Sequence, residues 1–438
     1  LYTKFMKIQE ILENKRNGNS FDRESLATFL SAFKSGKVPL NLMSEFFTLL
    51  NKDFSSVECY NLANLLADSG ERLNLRENIG YCFDKHSVGG VSDPTSLIYM
   101  SVLASLGQKV VKSTASSFTS FRNTLARFSV FDGFKANANL KQLVHCVNNC
   151  GAGVYENKKI APLDKMLFDY AKENNLEWGI PFIASSVMAK KLAVGATTLV
   201  VDVKCGEGAL VASEAEANIL AHTIVEIGKL SAVRVAVIIT NLDQPVSASI
   251  GPRVEIDEVI SILSYGASMQ ESNLLKLSKE MVVVSLMLAG LCQTRSRANE
   301  VFDEAIESGR ALEAFYKIVS AHGGKFSSFV RISDITSGYA TSYYLAEDDG
   351  YVSDIDTYKI NVAGLKLTGM GEKYRDDNAG LVLLAREGDK VQEGGKLVRI
   401  FYSFDNPNLP ATLKLIKQSI EIKKTKKENH AFFYRVVI

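Results

Sequence analysis

The sequence predicts an α/β protein with a helical N-terminal part, a large mixed α/β part and a C-terminal part rich in strands. Near-continuous apolar runs at residues 198–203 and 233–240 alternate with helical patterns around 213–227 and 257–263. Strands that alternate with helices are typical of a parallel sheet covered on both faces. The N-terminal segment, in contrast, has its apolar residues at helical spacing.

The helical part begins near Ile8, and residues 20–24 offer an N-cap between two of its helices. A helical pattern returns at residues 164–192, after the first strands have passed. We expect this segment to pack back onto the N-terminal helices, so that residues 1–70 and 164–192 form one small all-helical lobe.

The large α/β lobe is expected to span residues 78–160 and 195–335. Its first elements are a short strand, a polar glycine-containing loop, a helix and a second strand, at residues 80–83, 84–93, 95–106 and 109–112.

From about residue 336 the pattern changes to short strands separated by glycine turns. The predicted strands lie at residues 351–353, 381–384 and 397–400, with turns at 388–389 and 394–395. Residues 336–438 are therefore expected to form a C-terminal, β-rich α/β subdomain.

Composition excludes several classes of protein. The chain has 438 residues, and 50 basic against 49 acidic side chains leave a formal charge of +1. This balance argues against a protein that tracks nucleic-acid phosphates. The longest strongly apolar run, residues 281–292, is shorter than the roughly 20 residues that a membrane crossing needs. We expect a cytoplasmic protein that binds neither nucleic acid nor membrane.

Six cysteines are scattered through this long chain, at positions 59, 82, 146, 150, 205 and 292. Because disulfide frameworks belong mainly to small secreted domains, we expect reduced thiols. Cys146 and Cys150 are four residues apart on a predicted helix, but no second Cys/His pair follows at zinc-site spacing.

The polar loop at 84–93 is the first candidate for chemistry. It offers an ammonium group (Lys85), an imidazole (His86) and a hydroxyl (Ser87) between a strand and a helix. Such junctions bind anions, because free backbone N–H groups and the helix dipole point at the ligand. An ordinary glycine turn with a surface lysine would give the same pattern.

Three further segments are candidates on weaker grounds. A hydroxyl-rich stretch between Lys112 and Arg122 either closes around a phosphate or is a simple polar loop. Ser186 and Lys190 share one face of a predicted helix, where they converge on a ligand or form part of an exposed amphipathic surface. Residues 202–209 end a buried strand, where open sheets place ligands.

Taken in order, these segments resemble the thymidine and pyrimidine-nucleoside phosphorylase family, a group of pentosyltransferases, over nearly the whole chain. The most specific motifs are Asp84-Lys85-His86-Ser87-x-Gly89-Gly90-Val91-x-Asp93 and Asp202-Val203-Lys204-x-Gly206-x-Gly208-Ala209. The other matching segments are Glu13 to Gly18, Ala67-Asp68-Ser69-Gly70, Ala161-Pro162-x-Asp164-Lys165, Ile183-Ala184-Ser185-Ser186, Lys190-Lys191 and Gly388-Asp389-x-Val391.

This resemblance implies a helical lobe hinged to a larger α/β lobe, usually in a homodimer, with nucleoside on the small lobe and phosphate on the large one. It implies phosphorolysis of thymidine, uridine or deoxyuridine in nucleoside salvage, with phosphate as co-substrate and no organic cofactor. His86 would assist departure of the base by hydrogen bonding or protonation, together with Lys85, and Ser186 and Lys190 would hold the pyrimidine.

Two larger sets of positions are also implied by the resemblance. The phosphate-binding positions of the family fall on Lys85, Ser87, Ser96, Lys112, Ser113, Thr114 and Thr124. A site for a monovalent cation, usually potassium, would fall near Ser92, Val246, Ser249 and Glu258.

The resemblance also implies departures from the family, at Val88, Ser92 and Pro94 and, with larger consequences, at two further places. A glycine-rich phosphate loop is replaced by residues 114–118, followed by Phe121, which should crowd the approach of phosphate. Ala171 stands where the family has an arginine that grips the pyrimidine. These departures leave two alternatives open: a catalytically impaired nucleoside-binding homologue, or a phosphorylase of a different nucleoside or nucleotide, for which Ala171 leaves room.

Overall fold

The fold was analysed in a computed structural model. It describes residues 2–89, 92–114, 124–156, 158–206, 209–269, 272–335, 337–427 and 431–438. Within these ranges the helices are α1 (Tyr2–Arg16), α2 (Arg23–Lys34), α3 (Leu40–Lys52), α4 (Ser56–Ala67), α5 (Leu75–Ile79), α6 (Thr95–Ser105), α7 (Thr124–Phe128), α8 (Leu140–Cys150), α9 (Pro162–Glu173), α10 (Ile180–Val194), α11 (Glu214–Leu230), α12 (Pro252–Tyr265), α13 (Asn273–Leu288), α14 (Arg295–Glu307), α15 (Arg310–Ala321), α16 (Thr357–Leu367) and α17 (Leu409–Lys417).

The strands of the same residues form one large and two small sheets. In chain order they are β1 (Phe83–Val88), β2 (Val110–Ser113), β3 (Ala152–Tyr155), β4 (Thr198–Cys205), β5 (Arg234–Asn241), β6 (Ser249–Ile250), β7 (Tyr339–Leu345), β8 (Gly350–Ile355), β9 (Gly380–Leu383), β10 (Lys390–Val391), β11 (Lys396–Ser403), β12 (Ile420–Lys423) and β13 (Phe433–Val437).

The large sheet has the strand order β13-β5-β4-β1-β2-β3, and β1 to β5 run parallel. Successive side chains of β4 enter two different cores. Val200 packs in a cluster with α6, α12 and α13, whereas Leu199, Val201 and Val203 pack with α10 and α11. The predicted parallel sheet covered on both faces is confirmed, and with it the α/β fold class.

The chain end returns to the large sheet. We expected residues 336–438 to stay together, but β13 pairs antiparallel with β5 at the sheet edge, with Val437 opposite Val237. An antiparallel edge strand can be added at the end of the chain because it needs no crossover helix.

Aromatic side chains fill the core of the helical lobe. The rings of Phe29 (α2) and Phe46 (α3) stack with centroids 4.2 Å apart, and Phe47 meets Phe182 of α10 edge-on at 5.1 Å. The helices α9 and α10, although they come between β3 and β4 in the chain, therefore pack against the N-terminal helices.

The first strand is longer than predicted. Residues 84–87 were expected in a loop, but β1 runs from Phe83 to Val88 and pairs with β4 along its whole length. The polar residues tolerate a central strand because ion pairs and hydrogen bonds satisfy them on both sheet faces. The chain turns only at Gly89, whose φ of 76° favours glycine.

Two antiparallel sheets form most of the C-terminal subdomain, with strand orders β10-β8-β12 and β6-β9-β11-β7. Strand β6 comes from the large lobe, and its Ser249 lies opposite Val382 of β9. This pairing joins the subdomain to the segment that precedes α12.

The six cysteines are free thiols, as expected. Within the described ranges, no group of three or more His, Cys, Asp and Glu side chains is placed to hold a metal ion. In the same part of the chain, every helix falls short of the length and apolarity needed to cross a membrane.

The buried carboxylate of Glu58 accepts several hydrogen bonds that connect segments of the helical lobe. Its carboxylate lies 2.7 Å from Lys15 Nζ and accepts hydrogen bonds from the backbone N–H groups of Phe21 and Ser55. We expect Glu58→Ala to lower the free energy of unfolding by about 3–5 kcal/mol, because it leaves the buried Lys15 ammonium group without its ion-pair partner. Denaturant unfolding followed by circular dichroism would measure this loss.

The matched control is Glu45→Ala, which removes the partner of Arg16 in a largely exposed ion pair of the same lobe. Its cost should stay under about 1 kcal/mol. Equal losses for the two variants would show that the Lys15–Glu58 pair does not stabilise the lobe.

Candidate active site

Buried lysines and aspartates meet on the central strands of the large sheet and on α10. We call the following set the lysine cluster: Lys85, Lys112, Lys191, Lys204, Asp84, Asp93 and Asp202. Four ammonium groups are set against three carboxylates. Because burying a charge is costly unless it is paired, the excess positive charge marks this region as a candidate anion site.

One face of β1 directs Lys85 into the cluster. Its Nζ lies 3.2 Å from Asp93 Oδ2 and donates to Thr95 Oγ1 at 2.5 Å and to Ser87 Oγ. Lys204 of β4 lies 3.3 Å from the same Asp93 oxygen. Although burial opposes ionisation of Asp93, these two lysines hold the pKa of its carboxyl well below the usual range.

The opposite face of β1 is tied to the helical lobe. Asp84 Oδ2 lies 2.7 Å from Nζ of Lys191 on α10, and Lys191 also donates to Ser113 Oγ at 2.8 Å. The alternation of side chains along the strand explains why Asp84 and Lys85 have different partners.

Lys112 is the cation of the cluster that lacks a counterion. Its Nζ donates to the backbone carbonyl of Lys85 at 2.8 Å, and no carboxylate of the described residues lies within ion-pair distance of it. Burial, and next Lys191, lower its pKa well below the ordinary value. An anion bound here would oppose both effects by favouring the charged form of Lys112.

His86 lies on β1 between Lys85 and Ser87 and is half-buried. Burial lowers its pKa well below 6.5, and the positive charges of Lys191, Lys112, Lys190 and Lys85 lower it further. The imidazole is therefore neutral at pH 7, with one N–H donor and one nitrogen acceptor.

Ser186 and Lys190 share a face of α10, as predicted. Lys190 Nζ donates to Ser186 Oγ at 3.2 Å and pairs with Asp164 Oδ2 of α9 at 2.9 Å. Ser186 and Asp164 are buried, whereas the Lys190 side chain is 18% exposed.

The four residues predicted near a cation site are brought together. Ser92, whose φ is 39°, donates its hydroxyl to the carbonyl of Ser249 at 2.7 Å. Glu258 accepts from the Ser249 N–H at 2.9 Å and from Ser247 Oγ at 2.7 Å. Burial raises the pKa of Glu258. Val246, Ser249 and Glu258 line one cavity of about 590 Å³.

The remaining predicted phosphate residues are less closely connected. Ser113 joins the cluster through Asp84 and Lys191, and the Thr114 N–H donates to the carbonyl of Tyr155 at 2.9 Å. Ser96 lies in the first turn of α6 and Thr124 begins α7. Among the described residues, neither makes a hydrogen bond to the lysines of the cluster.

The predicted crowding of the phosphate loop cannot be placed, because residues 115–123, with Phe118 and Phe121, lie outside the described residues. Ala171 can be placed. It is fully buried in the apolar core of the helical lobe, in the same cluster as Leu167 and Phe182. It therefore leaves no opening for a larger ligand in this structure.

Sequence reasoning assigned no individual role to several residues of the site: Asp84, Asp93, Thr95, Asp164, Lys191 and Lys204. A signal was present for Asp202 and Lys204, which alternate with valines in a strand buried at every position. Charged residues are almost never fully buried unless they are paired, so an ion-pair network was foreseeable there.

Comparisons with known proteins show which family the chain resembles. The model of the glycosyl transferase family, a/b domain, matches residues 80–312, and that of the pyrimidine nucleoside phosphorylase C-terminal domain matches residues 351–423. A pyrimidine-nucleoside phosphorylase of Staphylococcus haemolyticus is 31% identical over 95% of this chain and 96% of its own length. One from Staphylococcus epidermidis is 30% identical over 90% and 92%.

The chain belongs to the pyrimidine-nucleoside phosphorylase family. The family's α/β-domain match begins three residues before β1 and so includes every residue of the lysine cluster. Among solved structures, anthranilate phosphoribosyltransferase of Thermus thermophilus superposes with a TM-score of 0.57 at 13% identity, over 72% of this chain and 99% of its own. This second likeness concerns the fold alone.

The electrostatic setting of His86 gives a pH prediction. Burial and four lysines disfavour the imidazolium, so its pKa should lie below 6.5 in the free protein. Inorganic phosphate bound near Lys85 and Lys112 would add negative charge and raise that pKa. Imidazole nitrogen chemical shifts, recorded by NMR against pH with and without phosphate, would measure both values.

The His86→Asn variant would identify the resonance, and sodium chloride at equal ionic strength is the control for screening. A pKa at or above 6.5 without phosphate would contradict the prediction.

Proposed function

We propose that this chain catalyses the phosphorolysis of pyrimidine nucleosides to free base and pentose 1-phosphate. Family membership supports the general reaction, and one observation carries it for this chain. Lys112, on the strand next to that of Lys85, is a buried ammonium group with no counterion among the described residues. A phosphate dianion would supply the missing negative charge.

The reaction needs little from the protein besides charge and position. A phosphate oxygen bonds to the anomeric carbon while the bond to the base nitrogen breaks with its electron pair. Hydrogen phosphate loses its proton when it becomes part of the sugar phosphate, and the free base gains one proton, so the reaction balances. Positive charge develops on the sugar and negative charge on the base, and the protein is expected to stabilise both by fixed dipoles and ions.

Lys85, Ser87 and Lys112 are proposed to hold phosphate, with Ser113, Thr114, Ser96 and Thr124 as its further family positions. His86, neutral in the free protein, is proposed to donate its N–H to a carbonyl oxygen of the departing base. Bound phosphate would favour the imidazolium form of His86. Phosphate binding would therefore prepare His86 to act as an acid toward the base of the nucleoside.

Ser186 and Lys190 are proposed to bind the base from α10. The Lys191–Asp84 pair, one residue further along the helix, fixes α10 against β1. The base subsite is thereby positioned beside the lysine cluster. Sugar preference, a role in salvage and a homodimeric state remain predictions of the family resemblance.

A monovalent cation is proposed near Ser92, Val246, Ser249 and Glu258. The side-chain and carbonyl oxygens there form a hard donor set suited to potassium. When bound, the cation would supply positive charge that holds the β6 segment. Glu258 would provide its carboxylate and Ser249 its backbone carbonyl.

The proposal predicts base release that depends on inorganic phosphate. Lys112→Met should raise the KM for phosphate by at least roughly tenfold, because it removes the unpaired ammonium group. Release of uracil, thymine and cytosine from their nucleosides, measured by chromatography at several phosphate concentrations, would test both statements.

Lys109→Met is the matched control, since Lys109 precedes β2 and donates to the carbonyl of Ile79 instead. Its kinetics should resemble those of the wild-type protein. If a panel of nucleosides binds calorimetrically without base release, the impaired homologue is the better description, as the loss of an arginine at Ala171 allows.

The cation proposal predicts that potassium raises the activity, or the melting temperature, more than choline at equal ionic strength. Glu258→Gln should reduce this difference at least roughly threefold, because a neutral amide binds cations more weakly. Asp303→Asn, whose carboxylate pairs with Lys279 and does not line this cavity, is the control. Indifference of the wild-type protein to potassium would refute the assignment.

A further inference from the structure

Asp164 holds an unused hydrogen-bond acceptor beside the residues proposed to bind the base. The side chain is 1% exposed, and its Oδ2 lies 2.9 Å from Lys190 Nζ. Its other oxygen, Oδ1, is buried and has no hydrogen-bond partner among the residues that the structure describes. Because a buried polar atom without a partner is costly, this oxygen marks a place where a ligand can supply a donor.

The three polar side chains of this subsite follow one another in space. Lys190 lies between Asp164 and Ser186, with its Nζ 2.9 Å from the first and 3.2 Å from the second. A carboxylate only accepts hydrogen bonds and an ammonium group only donates them. The Ser186 oxygen accepts from Lys190, which leaves its own proton to be donated. The sequence of groups is acceptor, donor, donor.

A complementary base presents donor, acceptor, acceptor along one edge. Cytosine does so with its 4-amino group, N3 and O2. Uracil and thymine present O4, N3–H and O2. Their O4, an acceptor, would face the acceptor Asp164, and their N3–H, a donor, would face the donor Lys190. When two acceptors or two donors face each other in a buried site, neither has a hydrogen-bond partner. A ligand with the mismatched edge is therefore bound much more weakly.

Resting on the proposed function, we propose that the preferred substrate is a nucleoside of a 4-aminopyrimidine, of which cytidine is the simplest, and that Asp164 selects its amino group. No guanidinium of the described residues pairs with Asp164, so its Oδ1 is left for a donor of the ligand.

The reaction balances with phosphate as the only co-reactant. Cytidine and hydrogen phosphate give cytosine and ribose 1-phosphate. The bond between C1′ and N1 breaks, a phosphate oxygen bonds to C1′, and the base gains one proton in place of the sugar.

The test compares kcat/KM for phosphate-dependent base release from cytidine and uridine. The wild-type protein should prefer cytidine by about tenfold or more. Asp164→Asn should lower this ratio by a similar factor, because the amide can donate to O4 of uracil and no longer carries charge.

The matched control is Asp169→Asn, on the same helix, where the carboxylate pairs with Lys165 at the exposed surface. It should leave the ratio unchanged. If Asp164→Asn does not fold, the ratio of kcat/KM for cytidine to that for uridine in the wild-type protein still tests the proposal. Uridine used as well as cytidine, or adenosine used better, overturns the inference while the phosphorolysis itself stands.

Failure of the proposed function is distinguishable from failure of this inference. If neither nucleoside is cleaved in the presence of phosphate, the proposed reaction is wrong, and calorimetry with free cytosine and uracil then decides the inference. Cytosine bound about tenfold more tightly supports the role of Asp164, and equal or weaker binding refutes it.

Discussion

A buried positive charge, with no counterion among the described residues, is the feature on which the proposed anion site depends. Four ammonium groups lie among three carboxylates, and Lys112 is the one that is held by a carbonyl instead of an acid. In a dry interior such an excess favours the binding of an anion. Burial lowers the pKa of His86 and the neighbouring lysines lower it further, so the charge that would attract phosphate also helps to keep the imidazole neutral.

The same cluster connects the two lobes. Lys190 and Lys191 are adjacent on α10, and successive residues of a helix point about 100° apart. One pairs with Asp164 inside the helical lobe, and the other with Asp84 on the central strand of the sheet. A single turn of helix thus contacts the proposed base subsite on one side and the proposed anion site on the other. Moving α10 would disturb both.

The base subsite differs from the anion site in its charge. Lys190 and Asp164 form a neutral pair, and Ala171 adds no further positive charge. Under the proposed mechanism, Lys190, Ser186 and His86 together would stabilise the negative charge on the departing base. Hydrogen-bond pattern has more influence on the choice of base in such a subsite than net charge does, because each mismatched buried polar group goes unsatisfied.

The sequence by itself determined the α/β class, because the spacing of apolar residues reports which faces are buried, as at residues 198–203 and 233–240. Its motifs also led to the family, and the resemblance predicted Lys85, Lys112, Ser186 and Lys190 as polar groups of the site. Only the tertiary structure decided that residues 84–87 belong to a strand, because their partners Lys191, Asp93 and Thr95 lie on other elements. It also decided that β13 forms an edge of the sheet and that, among the described residues, Oδ1 of Asp164 has no hydrogen-bond partner. Such pairings depend on distances between segments far apart in the chain, which local patterns do not encode.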